Sequence, residues 1–139
     1  MQTQNYQNHT RYVPLFHFVM LGILIVVLAL SLINIFRGLN LSSVMFLLLA
    51  IASLIGFAMI RIFPLAAQDR AIRAEENLRH FVLTGKPLDC HLHLQQIIAL
   101  RFAPDEEFVA LAERALKEGL GNKEIKKAIA NWKADYHRA

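Results

Sequence analysis

The chain has 139 residues, 55% of them apolar and 19% charged, with a formal net charge of +4 and one cysteine. That content excludes a disordered chain and a disulfide-stapled scaffold. The charge is unevenly spread: up to Pro64 there are only Arg11, Arg37 and Arg61 and no acid, whereas the remainder carries 12 Lys/Arg against 11 Asp/Glu. The two parts are built for different solvents, and the basic balance reflects acids missing from the first part more than an affinity for nucleic acid.

After a polar tail (residues 1–13), residues 14–36 read PLFHFVMLGILIVVLALSLINIF without a formal charge. About 20 helical residues cross a bilayer core of about 30 Å, so this run predicts a transmembrane helix. Residues 41–63 predict a second, ending at Pro64. The turn between them, residues 37–40, forces an antiparallel hairpin, with Gly38 and Asn40 expected to supply left-handed backbone. A second span following at once argues against a cleaved signal peptide. Arg61, Arg70, Arg73 and Arg79 after the second run, with Arg11 in the tail on the same side, outweigh Arg37 in the turn, which predicts both termini in the cytoplasm. His17 and Asn34 read as interfacial anchors, because each lies near a span end. Ala52 and Gly56 form a small-xxx-small pair.

The rest, residues 64–139, predicts a small cytoplasmic domain of three to four short helices and no strand. Residues 65–84 read as a helix with Ile72, Leu78, Phe81 and Val82 on its apolar side and with Asp69–Arg73 and Glu75–Arg79 pairs at i, i+4. Gly85-Lys86-Pro87 ends it. Residues 88–102 suit a short helix with Leu94, Ile97, Ile98 and Arg101 at its core spacing. Pro104 at a first helical position, followed by Asp105, Glu106 and Glu107, opens another, which buries Phe108, Leu111, Ala112, Ala115 and Leu116 and stops at Gly119 and Gly121. Asn122 is expected to cap a last helix with the stripe Ile125, Ile129, Trp132 and Tyr136.

Cys90, His91 and His93, beside Asp89 and near His80, are metal-ligand types, yet their spacing matches no zinc pattern and a helix would point His91 and His93 about 200° apart. Cys90 as a nucleophile has no triad around it. Residues 115–125 resemble the first half of a helix-turn-helix of the LuxR type, but no separate recognition helix is expected after them, so nucleic acid is not an expected partner. Lys123, Lys126, Lys127, Lys133 and Arg138 give the last helix a basic face suited to solvent or to anionic headgroups. No phosphate-binding glycine loop and no carboxylate pair set for acid/base work is legible.

The stretch Ile97-Ile98-Ala99-Leu100-Arg101-Phe102-Ala103, then Asp105-Glu106-Glu107, Ala115-Leu116, Ile125-Lys126-Lys127, Ile129, Trp132 and Asp135-Tyr136, resembles an uncharacterised family of small bacterial membrane proteins with two N-terminal spans and a helical tail. The resemblance implies a bacterial inner membrane and an all-helical tail, and brings no functional residue with it.

Together these readings give an all-α membrane protein, a two-helix transmembrane hairpin followed by the helical domain. Its expected role is a non-enzymatic membrane-anchored interaction module, in its most specific form an accessory subunit of a larger inner-membrane complex. Its partners would be the lipid bilayer and other membrane-protein chains or itself, with no cofactor and with Arg101, Lys123, Lys126, Lys127, Trp132, Asp135 and Tyr136 as contacts. The alternatives are a homo-oligomeric scaffold, a lipid-sensing module using the lysine face, and, third, a metal-dependent enzyme at Cys90, His91 and His93.

Overall fold

A computed structural model describes residues 4–6 and 13–135, and every element among them is helical. They fall into two compact units, residues 13–63 and residues 4–6 with 64–135.

The first unit is a helical hairpin. A π-helical stretch, Leu15–Met20, leads into α1 (Leu21–Arg37), and α2 (Leu41–Thr84) contributes its residues up to Phe63. Leu15–Arg37 and α2 are both long and apolar enough to cross a membrane. Phe16 stacks on Phe57 with ring centroids 4.3 Å apart, and Ser31 lies against Phe46, so the two helices run antiparallel. The small buried residues of the hairpin are Ser31, Ser43 and Ala50, while Ala52 of the small-xxx-small pair is exposed. Ser31 Oγ donates to the Val27 carbonyl at 2.7 Å, satisfying its hydroxyl within its own helix.

The turn uses no left-handed residue. Gly38 is extended (φ 173°, ψ 125°), and among the described residues only Gly85 and Gly119 have positive φ. Asn40 closes the turn by capping α2: its Oδ1 accepts the Ser43 N–H at 2.9 Å, while Ser43 Oγ accepts the Asn40 N–H at 3.0 Å. This reciprocal pair satisfies two donors that a helix start leaves open.

The second unit is the head. Its first element is the part of α2 from Pro64 to Thr84, because the helix does not stop at residue 63 as expected. Proline withholds one N–H from the ladder but leaves the remainder intact. Gly85 (φ 74°) ends α2 as the sequence indicated, its N–H reaching the Phe81 carbonyl at 2.7 Å. Then come α3 (Leu94–Leu100), α4 (Asp105–Glu118) and α5 (Asn122–Ala128).

Twelve buried apolar residues form the head's core, with Leu100, Phe102, Phe108 and Ile125 sealed from solvent. Pro104 occupies the N-cap of α4 rather than its first turn, and Asp105, Glu106 and Glu107 complement the positive helix end behind it. Gly119 (φ 64°) closes α4, and the Leu120 N–H returns to the Ala115 carbonyl at 3.1 Å, a Schellman-type end. Leu116 is 36% exposed, so it is not part of the core.

Two expectations are corrected here. The head-facing side of α2 carries Ile72, Glu76 and Arg79, spaced i, i+4, i+7, while Leu78, Phe81 and Val82 are exposed. The last helix ends at Ala128, and Ile129 is extended (ψ 118°). The Glu107 carboxylate accepts the N–H groups of Ala130 (2.9 Å) and Asn131 (3.0 Å), which a continued helix would have given to Lys126 and Lys127. Ile129 is still buried and Trp132 still packs on the core, carried there by extended chain whose Lys133 N–H reaches the Phe102 carbonyl at 2.8 Å.

Candidate functional site

The head's polar chemistry gathers between α2 and the segment that follows α5. Arg79 is the hub. Its Nε donates to Asp105 Oδ1 at 2.6 Å, one terminal nitrogen to Glu76 Oε2 at 3.0 Å and the other to the Ala103 carbonyl at 2.8 Å. The guanidinium carbon sits 4.3 Å from the centre of the Phe108 ring. The partners are thus Glu76 and Asp105, in place of the expected Glu75; the expected Asp69–Arg73 pair is not among the ion pairs of the described residues.

Glu76 is 8% exposed, and burial pushes its carboxyl above the ordinary glutamate range, with the Arg79 hydrogen bond and charge pulling the other way. It borders a cavity of about 410 Å³, together with Glu75, Arg101, Lys133 and Asp135. Arg101 meets Asp135 Oδ2 at 3.1 Å, and its guanidinium lies 4.7 Å from the Phe102 ring centre. Trp132 packs on the other part of this cluster, 4.8 Å from the Phe102 centroid. At the far end of the sequence Gln4 joins in: its Oε1 accepts the Asp135 N–H at 2.8 Å.

Of the contact residues read from the sequence, Arg101, Trp132 and Asp135 therefore converge, and Phe102 links them. Arg101 and Asp135 direct their charges at each other. Lys126 is half-buried with its ammonium 5.5 Å from the Phe102 ring centre, while Lys123 and Lys127 are exposed on α5. Lys133 lies beyond the end of α5, so the basic face is shorter than expected. Tyr136 and Arg138 lie outside the described residues.

The Cys90 cluster also divides. Asp89, Cys90 and His91 present ligand atoms within 4.8 Å of one another, all exposed. His93 is not among them, because it stands at the N-cap of α3, where its N–H donates to Gln96 Oε1 at 2.8 Å. His80 is occupied elsewhere, with Nδ1 2.7 Å from the Lys86 carbonyl. Asp89 Oδ1 accepts from the His91 N–H (2.9 Å) and lies 2.8 Å from His91 Nδ1, and these bonds hold its carboxyl below the usual aspartate range.

Three ties escaped sequence reading. Gln96 is buried and uses both ends of its amide, Oε1 on His93 and Nε2 on the Leu120 carbonyl at 2.9 Å, so it joins the start of α3 to the α4–α5 turn. Asn122, the first residue of α5 rather than its cap, donates to the Gln95 carbonyl at 2.8 Å. Glu107 is the third. Desolvation pulls its carboxyl up, but the Ala130 and Asn131 hydrogen bonds outweigh that and leave it below the ordinary range.

These features define a class: an all-helical chain with two span-length apolar helices and a compact helical head held by buried charge. The chain belongs to a family of unknown function, DUF6526, whose model matches residues 1–139. No curated protein and no solved structure matches it.

Proposed function

We propose that the chain is a non-enzymatic, membrane-anchored interaction module, an accessory subunit of a larger complex in a bacterial inner membrane, with the hairpin crossing the bilayer and both termini in the cytoplasm. The observation that carries this reading is where apolar surface remains uncovered. On the hairpin, large side chains such as Leu30, Phe36, Leu41, Leu49 and Phe63 are more than half exposed, which suits lipid. In the charged head, α2 also exposes Leu78 (63%), Phe81 (52%) and Val82 (75%) on neighbouring turns. Water is a poor neighbour for such a patch, and patches of this kind mark partner surfaces. The arginine excess after the second apolar run supports the orientation.

The test is a photo-crosslinking residue at Phe81 in the full chain, expressed in its native membranes. An adduct with a different membrane-protein chain is the expected result. Adducts only with a second copy would favour a homo-oligomeric scaffold, and the absence of any adduct would sink the interaction reading.

A further inference from the structure

Five arginines of the head lie among the described residues, and their surroundings differ. Arg79, Arg101 and Arg114 each hold carboxylates: Glu76 and Asp105, Asp135, and Glu118. Arg70 and Arg73 are exposed and hold none among the described residues. Three positions apart on α2, they share a face. Both open into one groove of about 550 Å³, with Asn77 beside them, Asp89 and Cys90 across from them, and Ala74, Pro87 and Leu88 adding apolar surface.

The wall opposite the arginines is fixed. The Leu88 N–H donates to Asn77 Oδ1 at 2.9 Å, and the Lys86 carbonyl lies 2.7 Å from His80 Nδ1. Asp89, the one acid in the groove, keeps its charge but commits its Oδ1 to His91, and the two arginines outnumber it. Two guanidinium groups facing a fixed wall suit a phosphate, whose oxygens accept their forked N–H groups. The volume falls within the range of small-molecule sites. The adjoining apolar surface suits the glycerol and first methylenes of a lipid. Both arginines follow Phe63, at the end of the second apolar run, within ten residues. Cations placed so soon after a span meet anionic headgroups.

We propose that Arg70 and Arg73 bind the phosphate of an anionic phospholipid headgroup in this groove. A free phosphate offers the same chemistry. The lipid as source rests on the membrane-anchored reading; the arginine pair as a phosphate site does not.

Cys90 is the chain's single cysteine, is exposed, and lines the groove, so its alkylation by N-ethylmaleimide reports occupancy. The full chain is placed in nanodiscs of phosphatidylcholine, with or without phosphatidylglycerol; a further arm adds inorganic phosphate to the phosphatidylcholine discs. Phosphatidylglycerol is expected to slow alkylation, and Arg70→Ala and Arg73→Ala each to raise the lipid content needed by about fivefold. Lys123→Ala should leave the protection in place. Slowing by inorganic phosphate extends the site to the free anion.

Equal rates in all three conditions overturn the proposal. Protection that survives in Arg70→Ala/Arg73→Ala also overturns it, because it then comes from surface potential alone. A chain that does not enter the discs overturns the membrane reading instead, and inorganic phosphate added to that chain in buffer then decides the site: slowing supports it, and an unchanged rate overturns it.

Discussion

The hairpin and the head are both helical, but they are held by different means. In the hairpin the hydrogen bonds of Ser43 and Asn40 are local, Ser31 reaches the Val27 carbonyl of its own helix and the Phe46 carbonyl of the next, and two aromatic rings and small residues do the packing. In the head, side chains bind backbone and charges more than 20 residues away: Arg79 to Ala103 and Asp105, Glu107 to Ala130 and Asn131, Gln96 to Leu120. On the membrane-anchored reading proposed above, the difference follows from solvent. An apolar run in lipid satisfies its backbone by being helical. A head with a modest core needs specific polar ties to fix short helices that are marginal alone.

This contrast can be broken at its strongest points first, using the fluorescence of Trp132, the only tryptophan, to follow denaturant unfolding of the full chain in detergent. Phe102→Ala removes a fully buried ring shared by Arg101, Trp132 and Lys126, and should cost about 3–5 kcal/mol. Arg79→Ala strands the buried Glu76 and should cost about 3 kcal/mol, with Glu76→Gln restoring part of it in the double variant. A loss under about 0.5 kcal/mol for Arg79→Ala, the range of ordinary surface changes, would refute the hub. Gln96→Ala leaves the Leu120 carbonyl and the His93 N–H without their partner and should cost about 1–3 kcal/mol. In the hairpin, Asn40→Ala removes a helix cap worth about 1 kcal/mol and should leave the Trp132 transition unmoved; a shift of that transition would break the contrast.

The smallest effect is in pH. Glu107 has a folded pKa below its ordinary 4.5, so its contribution is complete above that value and is lost as pH falls through the lower folded one. Glu76 runs the other way: its folded pKa is raised, so its share of stability declines as pH rises from 4.5 through the folded value. Denaturant midpoints across pH should therefore show a shallower acid-side loss in Glu107→Gln than in the parent chain. Residues 13–63 contain no Asp or Glu and should add nothing to that limb.

The same contrast decides what was legible beforehand. Run length alone exposes the two apolar helices, and Pro104-Asp105-Glu106-Glu107 with Gly119 brackets α4 almost to the residue. Pro64 marks the boundary between the two units without ending α2, since a proline inside a helix and one at its end look alike in sequence. The stripe Ile125, Ile129, Trp132 correctly marked residues that face the core but mistook extended chain for helix, since the acceptor that ends α5 is Glu107, more than 20 residues earlier. The Arg101–Asp135 pairing, the Arg79 ties to Ala103 and Asp105 and the Gln96–Leu120 tie have no local spacing to betray them, whereas Glu76–Arg79 stands at i, i+3. Leu78, Phe81 and Val82 lie on the apolar side that periodicity finds, which does not say what covers it; among the described residues they stay exposed.

The claim that the hairpin crosses a membrane, with the head on the cytoplasmic side, is tested most directly by a membrane-impermeant maleimide on intact bacterial cells. The account predicts that Leu39→Cys in a Cys90→Ser background is labelled from outside, whereas Cys90 of the parent chain is labelled only after lysis. Labelling of Cys90 in intact cells, or protection of Leu39→Cys until lysis, would contradict it.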